Sequence, residues 1–473
     1  MITAALSARK FMAGRRSLLV LLVSGTFMMD ALDSAMISTP LPLIARDLGV
    51  DPVQAKGALT AYFLAVAALL PLSTWLSDRF GPRRVFTAAI AVYLLGSLLC
   101  AVSPTLTMLV AARIIQGVGS AMLFPLGRTI LLQSVSKQDL VRALSSVSIL
   151  PALALVVGPL IAGYVATFLD WRFLFLINVP LGLAALVLAP FLVPKASDAP
   201  RTPFDRTGFM LSSAGISAIG CGVGMPIAFE ASVALTAIGA LLLALYVKHG
   251  RRTPAPVLDL SLFRHRTFRV AISSSFVVRA AVVGALPFLI PMLLQVGFGL
   301  TPFESGSITF IGAVASLMSR FVIAPTLRWF GFRQFLAGTA LFGALSMLFL
   351  AFVSETTPHL VIMAIIFVGT LLRILQIQGV EAMVFSDVRQ SEMGQASSLL
   401  SVVKQLAASA GVAYAALVVQ GVQALWAGAT TAGGDFRMAI VLVALPLALT
   451  TLLSLRLSKG DGAEIAGRAI ATK

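Results

Sequence analysis

The sequence predicts an all-α integral membrane protein, and three observations carry that expectation. Of 473 residues, 58% are hydrophobic and only 11% are charged. A soluble chain carries about 25% charged residues, and charged side chains are expensive in hydrocarbon. Apolar runs of the ~20 residues needed for a spanning helix recur from end to end. Lys and Arg gather in alternate connections between those runs. No stretch is left for a large soluble domain.

The chain opens with Arg9, Lys10, Arg15 and Arg16 ahead of an apolar run. The outline is that of a signal peptide, but the run continues past Asp30 and Asp33 with no cleavage site, so it reads as an uncleaved first helix. Fourteen spans follow from the apolar runs: 17–38, 54–75, 84–103, 105–127, 142–166, 172–193, 207–229, 231–248, 269–295, 303–325, 334–353, 358–380, 397–421 and 437–457. The pair 207–229 and 231–248 is the weakest. Its first member is rich in Gly and Ser, and the two are joined almost directly around Glu230. Without that pair the count is twelve, and both termini stay on one side.

With the N-terminus inside, the inner connections hold about 26 of the 35 Lys and Arg residues. The outer ones hold Arg46, Lys56, Arg172 and Arg437. This asymmetry predicts that both termini are cytoplasmic. It also accounts for the net charge of +16 without invoking nucleic acid. The densest basic stretch, Lys248 to Arg269, reads as an orientation signal with attraction to anionic lipid.

Several function classes are disfavoured. Cys100 and Cys221 lie inside apolar runs and read as small buried hydrophobes. His249, His265 and His359 are scattered, so no metal site or disulfide framework is expected. There is no G-x-x-x-x-G-K-[ST] to cradle ATP phosphates, no G-x-S-x-G, and no filter loop for a channel. Neither an enzyme nor a cofactor is expected.

The two halves resemble each other at offsets of 249 to 253. Phe27 matches Phe276, Pro42 matches Pro291, and Gly81-Pro82-Arg83 matches Gly331-Phe332-Arg333. Ser145, Ser148, Leu153, Ala154 and Gly158 match Ser398, Ser401, Leu406, Ala407 and Gly411. The shared offset predicts two parallel six-helix repeats: a bundle over 1–200, two extra helices over 201–250, and a second bundle over 251–473. In such architectures the substrate site lies at the repeat interface. Arg113-Ile-Ile-Gln116 also looks like Arg373-Ile-Leu-Gln376, but its offset of 260 falls outside the register and reads as coincidence.

Four motifs carry a family resemblance. Between the second and third spans stands Thr74-Trp75-Leu76-Ser77-Asp78-Arg79-Phe80-Gly81-Pro82-Arg83. It resembles the signature loop of the major facilitator superfamily, G-x-L-A-D-R-x-G-R-K, with Thr74 for the first Gly and Pro82 at a basic position. The second copy, Arg328 to Arg333, lacks the acid. In the fifth span, Ala154, Gly158-Pro159 and Gly163 cluster toward one helix face, where small residues permit close contact and Pro bends the helix. This resembles the family's antiporter motif, G-x-x-x-G-P-x-x-G-G. Leu32-Asp33 to Pro40-Leu41-Pro42 resembles L-D-x-T-x-x-x-x-A-L-P. Asp170-Trp171-Arg172 to Asn178-Val179-Pro180-Leu181-Gly182 resembles W-R-x-x-F-x-x-N-x-P-x-G.

Together these are similar to the 14-span drug:proton antiporter subfamily, the multidrug efflux type. The resemblance implies a major-facilitator fold and a secondary active exporter of small amphiphilic compounds, working by proton antiport with alternating access. It implies that Asp78, Arg79, Gly81 and Arg83 form a cytoplasmic gating loop. Small-molecule substrate, protons and lipid are the expected partners. The carrier is expected to act as a monomer in a bacterial inner membrane.

Charges within spans are functional hypotheses by default. Asp30 and Asp33 lie three apart on the first span, near one helix face. Arg113-Ile-Ile-Gln116-Gly117 resembles the R-x-x-Q-G motif tied to proton coupling. Asp33 is expected to alternate between protonated and ionised as Arg113 withdraws and approaches; Asp30 is the second candidate. A purely structural Asp–Arg pair is the competing reading. Arg279, Arg373 and Lys404 are candidates for the cavity of the second half, with Arg320 near a span end and Glu381 near an inner end. At the repeat offset, Arg279 stands opposite Asp30, and Lys404 falls where the first half has Pro151. This mixed lining leaves room for zwitterionic or anionic amphiphiles as well as cations. Two rival functions remain on the same residues: a proton-coupled carrier of one specific metabolite, and a membrane sensor that transports nothing.

Overall fold

A computed structural model describes residues 2–134, 146–194, 204–225, 229–253, 256–258, 260–389, 392–425 and 433–458. Among these residues the chain is helical, with turns between helices and no strand. The helices are α1 (Ile2–Met36), α2 (Leu41–Asp47), α3 (Lys56–Leu69), α4 (Leu72–Phe80), α5 (Pro82–Ala101) and α6 (Leu106–Ser134). They continue with α7 (Ile149–Phe168), α8 (Phe173–Leu176), α9 (Asn178–Leu192), α10 (Arg206–Gly224) and α11 (Phe229–Gly250). After a 3-10 turn at Leu260–Arg264 come α12 (Arg266–Arg279), α13 (Leu286–Met292), α14 (Pro302–Ala351), α15 (His359–Val384), α16 (Met393–Leu425) and α17 (Gly434–Leu455).

Twelve helices among the described residues are long and apolar enough to cross a membrane. By helix length and composition the count is thus the alternative of twelve, and fourteen is not confirmed. The reason differs from the one expected, because the weak pair is present as α10 and α11. The expected second span is divided instead: α3 is only 14 residues long and α4 follows it after a break at Leu70–Pro71. The expected spans 303–325 and 334–353 both lie within α14, as two helices that meet at a kink at Gly331, where the backbone is not helical.

The turns at Gly81 and Gly331 mark one face of the bundle, termed here the near face. Both near-face turns of the repeat use a glycine that other residues could not replace freely. Gly81 has φ 86° and ψ 144°, and Gly331 has φ 70° and ψ 163°. These angles belong to a region open essentially to glycine alone. Gly81→Ala is expected to lower stability by about 1–3 kcal/mol, read as a lower unfolding temperature in detergent. An unchanged unfolding temperature would show that this turn relaxes without cost.

Apolar packing divides into three clusters. One joins α1, α3, α5, α6 and α9 through Val23, Met29, Phe86, Tyr93 and Ile130. A second joins α12, α14, α15 and α16 through Phe268, Phe335, Met383 and Leu399. The third crosses between them through Met36, Leu41, Phe175, Phe288, Ile308 and Val419. The second cluster also takes in Leu64, Ala67 and Ala68 of α3, and the first takes in Ala408 of α16, so the two sets of helices meet in all three clusters. Helices α10 and α11 pair with each other, and α10 rests on α3 and α16.

The far face also carries a polar clasp outside the spans. Trp171 Nε1 donates to Asp47 Oδ2 at 3.0 Å, and the Arg172 guanidinium lies 2.9 Å from the same oxygen. Hydrogen bonds from Trp171 and Arg172 hold the Asp47 carboxyl below the usual carboxylate range. A lowered carboxylate contributes stability above its unfolded value, near ~4, and loses it as pH falls through its folded value. Asp47→Asn is thus expected to unfold earlier than the parent at neutral pH, with the gap closing on acidification. Parallel unfolding curves across that range would show that the clasp adds nothing.

Candidate functional site

The structure brings Asp33, Arg113 and Gln116 together at the centre of the first set of helices. Arg113 Nη1 lies 2.5 Å from Asp33 Oδ2. Gln116 Nε2 donates to Asp33 Oδ1 at 3.0 Å and to Ser97 Oγ at 2.9 Å. Arg113 also donates to Gln116 Oε1 at 2.6 Å and to the Ala58 carbonyl at 3.3 Å. Its guanidinium sits 4.3 Å from the centre of the Tyr62 ring. Asp33 and Arg113 are 3% and 1% exposed, so water screens this pair very little.

Local sequence explains how so many polar groups meet. Gly96 lets the backbone of Gln116 approach α5, where a Cβ would come within 2.5 Å of it. A Cβ on Gly117 would come within 2.9 Å of the Tyr62 carbonyl oxygen, so the glycine after Gln116 seats α6 against α3. Buried polar groups are costly unless partnered, and here the carboxylate has partners on both oxygens.

Asp30, three residues earlier, has a different fate. Its carboxylate accepts from the Tyr62 and Ser120 hydroxyls. It lines a cavity of about 460 Å³ between α1, α6, α7 and α14, together with Phe27, Phe124, Arg128, Pro151 and Arg320. The two aspartates thus share a helix face, yet one is locked into an ion pair and the other borders open space.

In the second set of helices, Arg279 and Lys404 both meet Glu381. Lys404 Nζ is 2.9 Å from Glu381 Oε2, and Arg279 pairs with its other oxygen. Their side chains are between 15% and 30% exposed. The repeat register relates this triad to the first half. Arg279 follows Asp30 by 249 places, Glu381 follows Arg128 by 253, and Lys404 follows Pro151 by 253. All three first-half counterparts line the cavity, and the charges at the first two positions are inverted. Lys404 also lies within electrostatic reach of Arg128.

Arg373 does not join this group. It is 2% exposed and donates to Ser346 Oγ at 2.8 Å and Thr370 Oγ1 at 3.3 Å, with no carboxylate at ion-pair distance among the described residues. Its apparent match to Arg113 is not a structural equivalence. Ser97 faces Gln116, whereas Ser346 faces Gly369, 253 places beyond Gln116. Arg373 therefore sits seven residues, about two helical turns, further along its helix than that register places the counterpart of Arg113.

The small-residue motif of α7 lies at a seam between the two sets of helices. Ala154 and Gly158 are buried, and Pro159 bends the helix from within. A Cβ on Gly158 would meet the Ala35 methyl at 2.6 Å, and one on Gly163 would meet the Pro302 carbonyl oxygen at 2.6 Å. Gly306 faces the Pro159 carbonyl in the same way. Toward the far face, Gln295 Nε2 donates to the Thr39 carbonyl at 2.6 Å, and the Phe303 amide donates to Thr167 Oγ1 at 2.9 Å. The cavity lies on the near-face side of this closed seam.

The loop after α4 stands on the near face. Asp78 and Arg79 are exposed, Gly81 makes the turn, and Arg83 Nε donates to the Val193 carbonyl at 2.7 Å. That bond ties the loop to the end of α9.

Tyr62, Ser97, Ser120 and Arg128 complete these arrangements and were not singled out from sequence, and Glu381 was noted there only as a charge near an inner end. Their signal was faint: each is a polar residue in or at the end of an apolar run, with no motif around it.

The Major Facilitator Superfamily model matches residues 23–412 of this chain. The chain is 32% identical over 404 residues to the Putative multidrug resistance protein MdtD of Citrobacter koseri, covering 84% of this chain and 85% of that one. It is 32% identical over 405 residues to the protein of the same description from Klebsiella pneumoniae, with the same shares. Among solved structures it resembles a bacterial homolog of the human lysosomal transporter Spinster, in an inward-facing and unoccupied conformation. The TM-score there is 0.68 at 14% identity, covering 97% of this chain and 99% of that one. It also resembles the nucleoside transporter NupG, with a TM-score of 0.63 at 12% identity, covering 92% and 99%.

Proposed function

The chain belongs to the Major Facilitator Superfamily, and on that premise we propose that it exports small amphiphilic compounds by antiport with protons. The observation that carries this reading is the pair of carboxylates on α1. Asp33 is buried and ion-paired to Arg113, while Asp30 borders the cavity. An isolated carboxylate is costly in a low-dielectric interior and cheaper when protonated, whereas one facing an arginine is cheaper ionised. A rearrangement that separates α1 from α6 would therefore favour proton uptake, and their return would favour release. Tyr62 links the two sites, since its hydroxyl donates to Asp30 and its ring lies under Arg113. Exchange in opposite directions then requires that the carrier reorient with substrate or with proton bound, and not with both.

The near face is then the cytoplasmic one, with both termini there, in a bacterial inner membrane. The bundles divide as 1–200 and 251–473, with α10 and α11 inserted between them. The seam of α7 with α14 forms the outer gate, and Asp78, Arg79, Gly81 and Arg83 belong to the inner one. The protein acts as a monomer. Drug-like export is the favoured direction because the relatives named above are described as multidrug resistance proteins.

Everted membrane vesicles with an acid interior provide the test, with a fluorescent amine reporting the pH gradient. Some member of a panel of amphiphiles is expected to discharge the gradient only when the protein is present. Movement of labelled compound with no discharge would remove the proton from the reading.

A further inference from the structure

We infer that the cavity holds the anionic head of an amphiphile between Arg128 and Arg320. The inference rests on the transport reading above and gives its substrate a charge. Both arginines line the cavity and both are exposed there. One comes from α6 and the other from α14, so they approach the space from opposite sets of helices. No ion pair or hydrogen bond joins either of them to a described residue.

That isolation separates them from the other charges of the membrane interior. Arg113 is paired with Asp33, and Arg279 and Lys404 are paired with Glu381. Among the described residues Asp30 is the one carboxylate on the cavity wall, and it is already engaged by two hydroxyls. Among those residues, two guanidiniums without an ion-pair partner face one engaged carboxylate, an excess of positive charge that Lys404 reinforces from nearby. Unpaired charge at membrane depth is expensive and marks a ligand path. Guanidinium groups suit planar and tetrahedral oxyanions, which they bind through paired N–H donors.

The rest of the wall fits an apolar body. Phe27 and Phe124 sit with ring centres 4.7 Å apart at 31°, and Leu131 and Leu155 continue the surface. A carboxylate, sulfonate or phosphate head with a short apolar tail matches both features. A free amphiphile and an anionic lipid head share that chemistry, and the experiment below separates the two.

Octanesulfonate and octyltrimethylammonium share a tail and differ in head charge, so they serve as probes. In everted vesicles, octanesulfonate is expected to discharge the pH gradient through the intact protein, beyond any effect on protein-free vesicles. Arg128→Gln and Arg320→Gln should each raise the half-maximal concentration about tenfold. The Lys variants, which keep the charge but lose the paired donors, should fall between the parent and the Gln variants, and Gln variants that unfold at the parent's temperature exclude misfolding as the cause. Discharge by octyltrimethylammonium alone would overturn the anionic assignment and leave proton antiport standing. Arginine-dependent movement of labelled octanesulfonate without discharge would keep the anion site and remove proton coupling. Purified protein supplies the last arm. If octanesulfonate neither moves nor raises the unfolding temperature, the proposal fails. If short-chain phosphatidylglycerol raises it instead, in an arginine-dependent way, the pair belongs to a lipid head.

Discussion

Asp33→Asn is expected to abolish gradient-driven export while leaving a folded protein. Asn keeps the shape of Asp and can still accept from Gln116 Nε2, which lies 3.0 Å from Asp33 Oδ1. It cannot bind and release a proton, so the coupled cycle stops. The cost falls on Arg113, whose only ion-pair partner among the described residues is Asp33. Removing one member of a buried pair costs about 3–5 kcal/mol, because the other charge is left uncompensated. Here Arg113 retains the Gln116 side chain at 2.6 Å, the Ala58 carbonyl and the Tyr62 ring, so the loss should lie toward the lower end. Two measurements separate coupling from structure. Gradient discharge should fall to the level of empty vesicles in Asp33→Asn. In the double variant Asp33→Asn with Arg113→Gln, the unfolding temperature should recover while export stays absent. Full export by Asp33→Asn would move the proton to Asp30, and Asp30→Asn would then be the inactive variant.

Gly163→Leu is expected to stop transport by a different route. Its Cβ would lie 2.6 Å from the Pro302 carbonyl oxygen and 3.0 Å from the Phe303 Cα, both of which are backbone and cannot turn aside. Gly306 presses on the Pro159 carbonyl across the same seam, so neither helix has slack. Overpacking a tight contact between helices costs about 1–3 kcal/mol, and here the cost falls only on the state in which α7 meets α14. The variant should fold, bind substrate and rest with the far face open. A cysteine placed at Gln295, in a protein whose Cys100 and Cys221 have been replaced, reports this. Its reaction with a membrane-impermeant thiol reagent should be faster in Gly163→Leu than with Gly163 intact. Unchanged labelling with full export would show that this seam does not gate.

The sequence carried the broad architecture because the bilayer allows few solutions. Backbone groups in hydrocarbon must be satisfied internally, so apolar runs of spanning length become helices. The repeat register was equally legible, and Gly81 and Gly331 show why. A positive φ is nearly closed to other residues, so the same letter marks the same turn in both halves. Asp33, Arg113 and Gln116 stood out because ionised or amide side chains in an apolar run need partners, and the number of candidates is small.

Other features were beyond its reach. Helical periodicity places Asp30 and Asp33 near one face, but only the packing of α6 and α3 decides that one meets an arginine and the other two hydroxyls beside a cavity. Arg373 and Arg279 look alike as lone bases in apolar runs. One turns into the contact between α14 and α15, and the other reaches Glu381. Where α3 ends and where α14 turns at Gly331 were also set by packing and backbone geometry, which hydropathy alone does not mark. By itself, then, the sequence determined which segments lie in the membrane, how the halves correspond and which charges need explaining. Tertiary structure decided which charges neutralise one another and which are left facing open space. The division has a physical cause: burial in lipid is a property of each segment's own composition, whereas pairing depends on distances between helices that are remote in the chain.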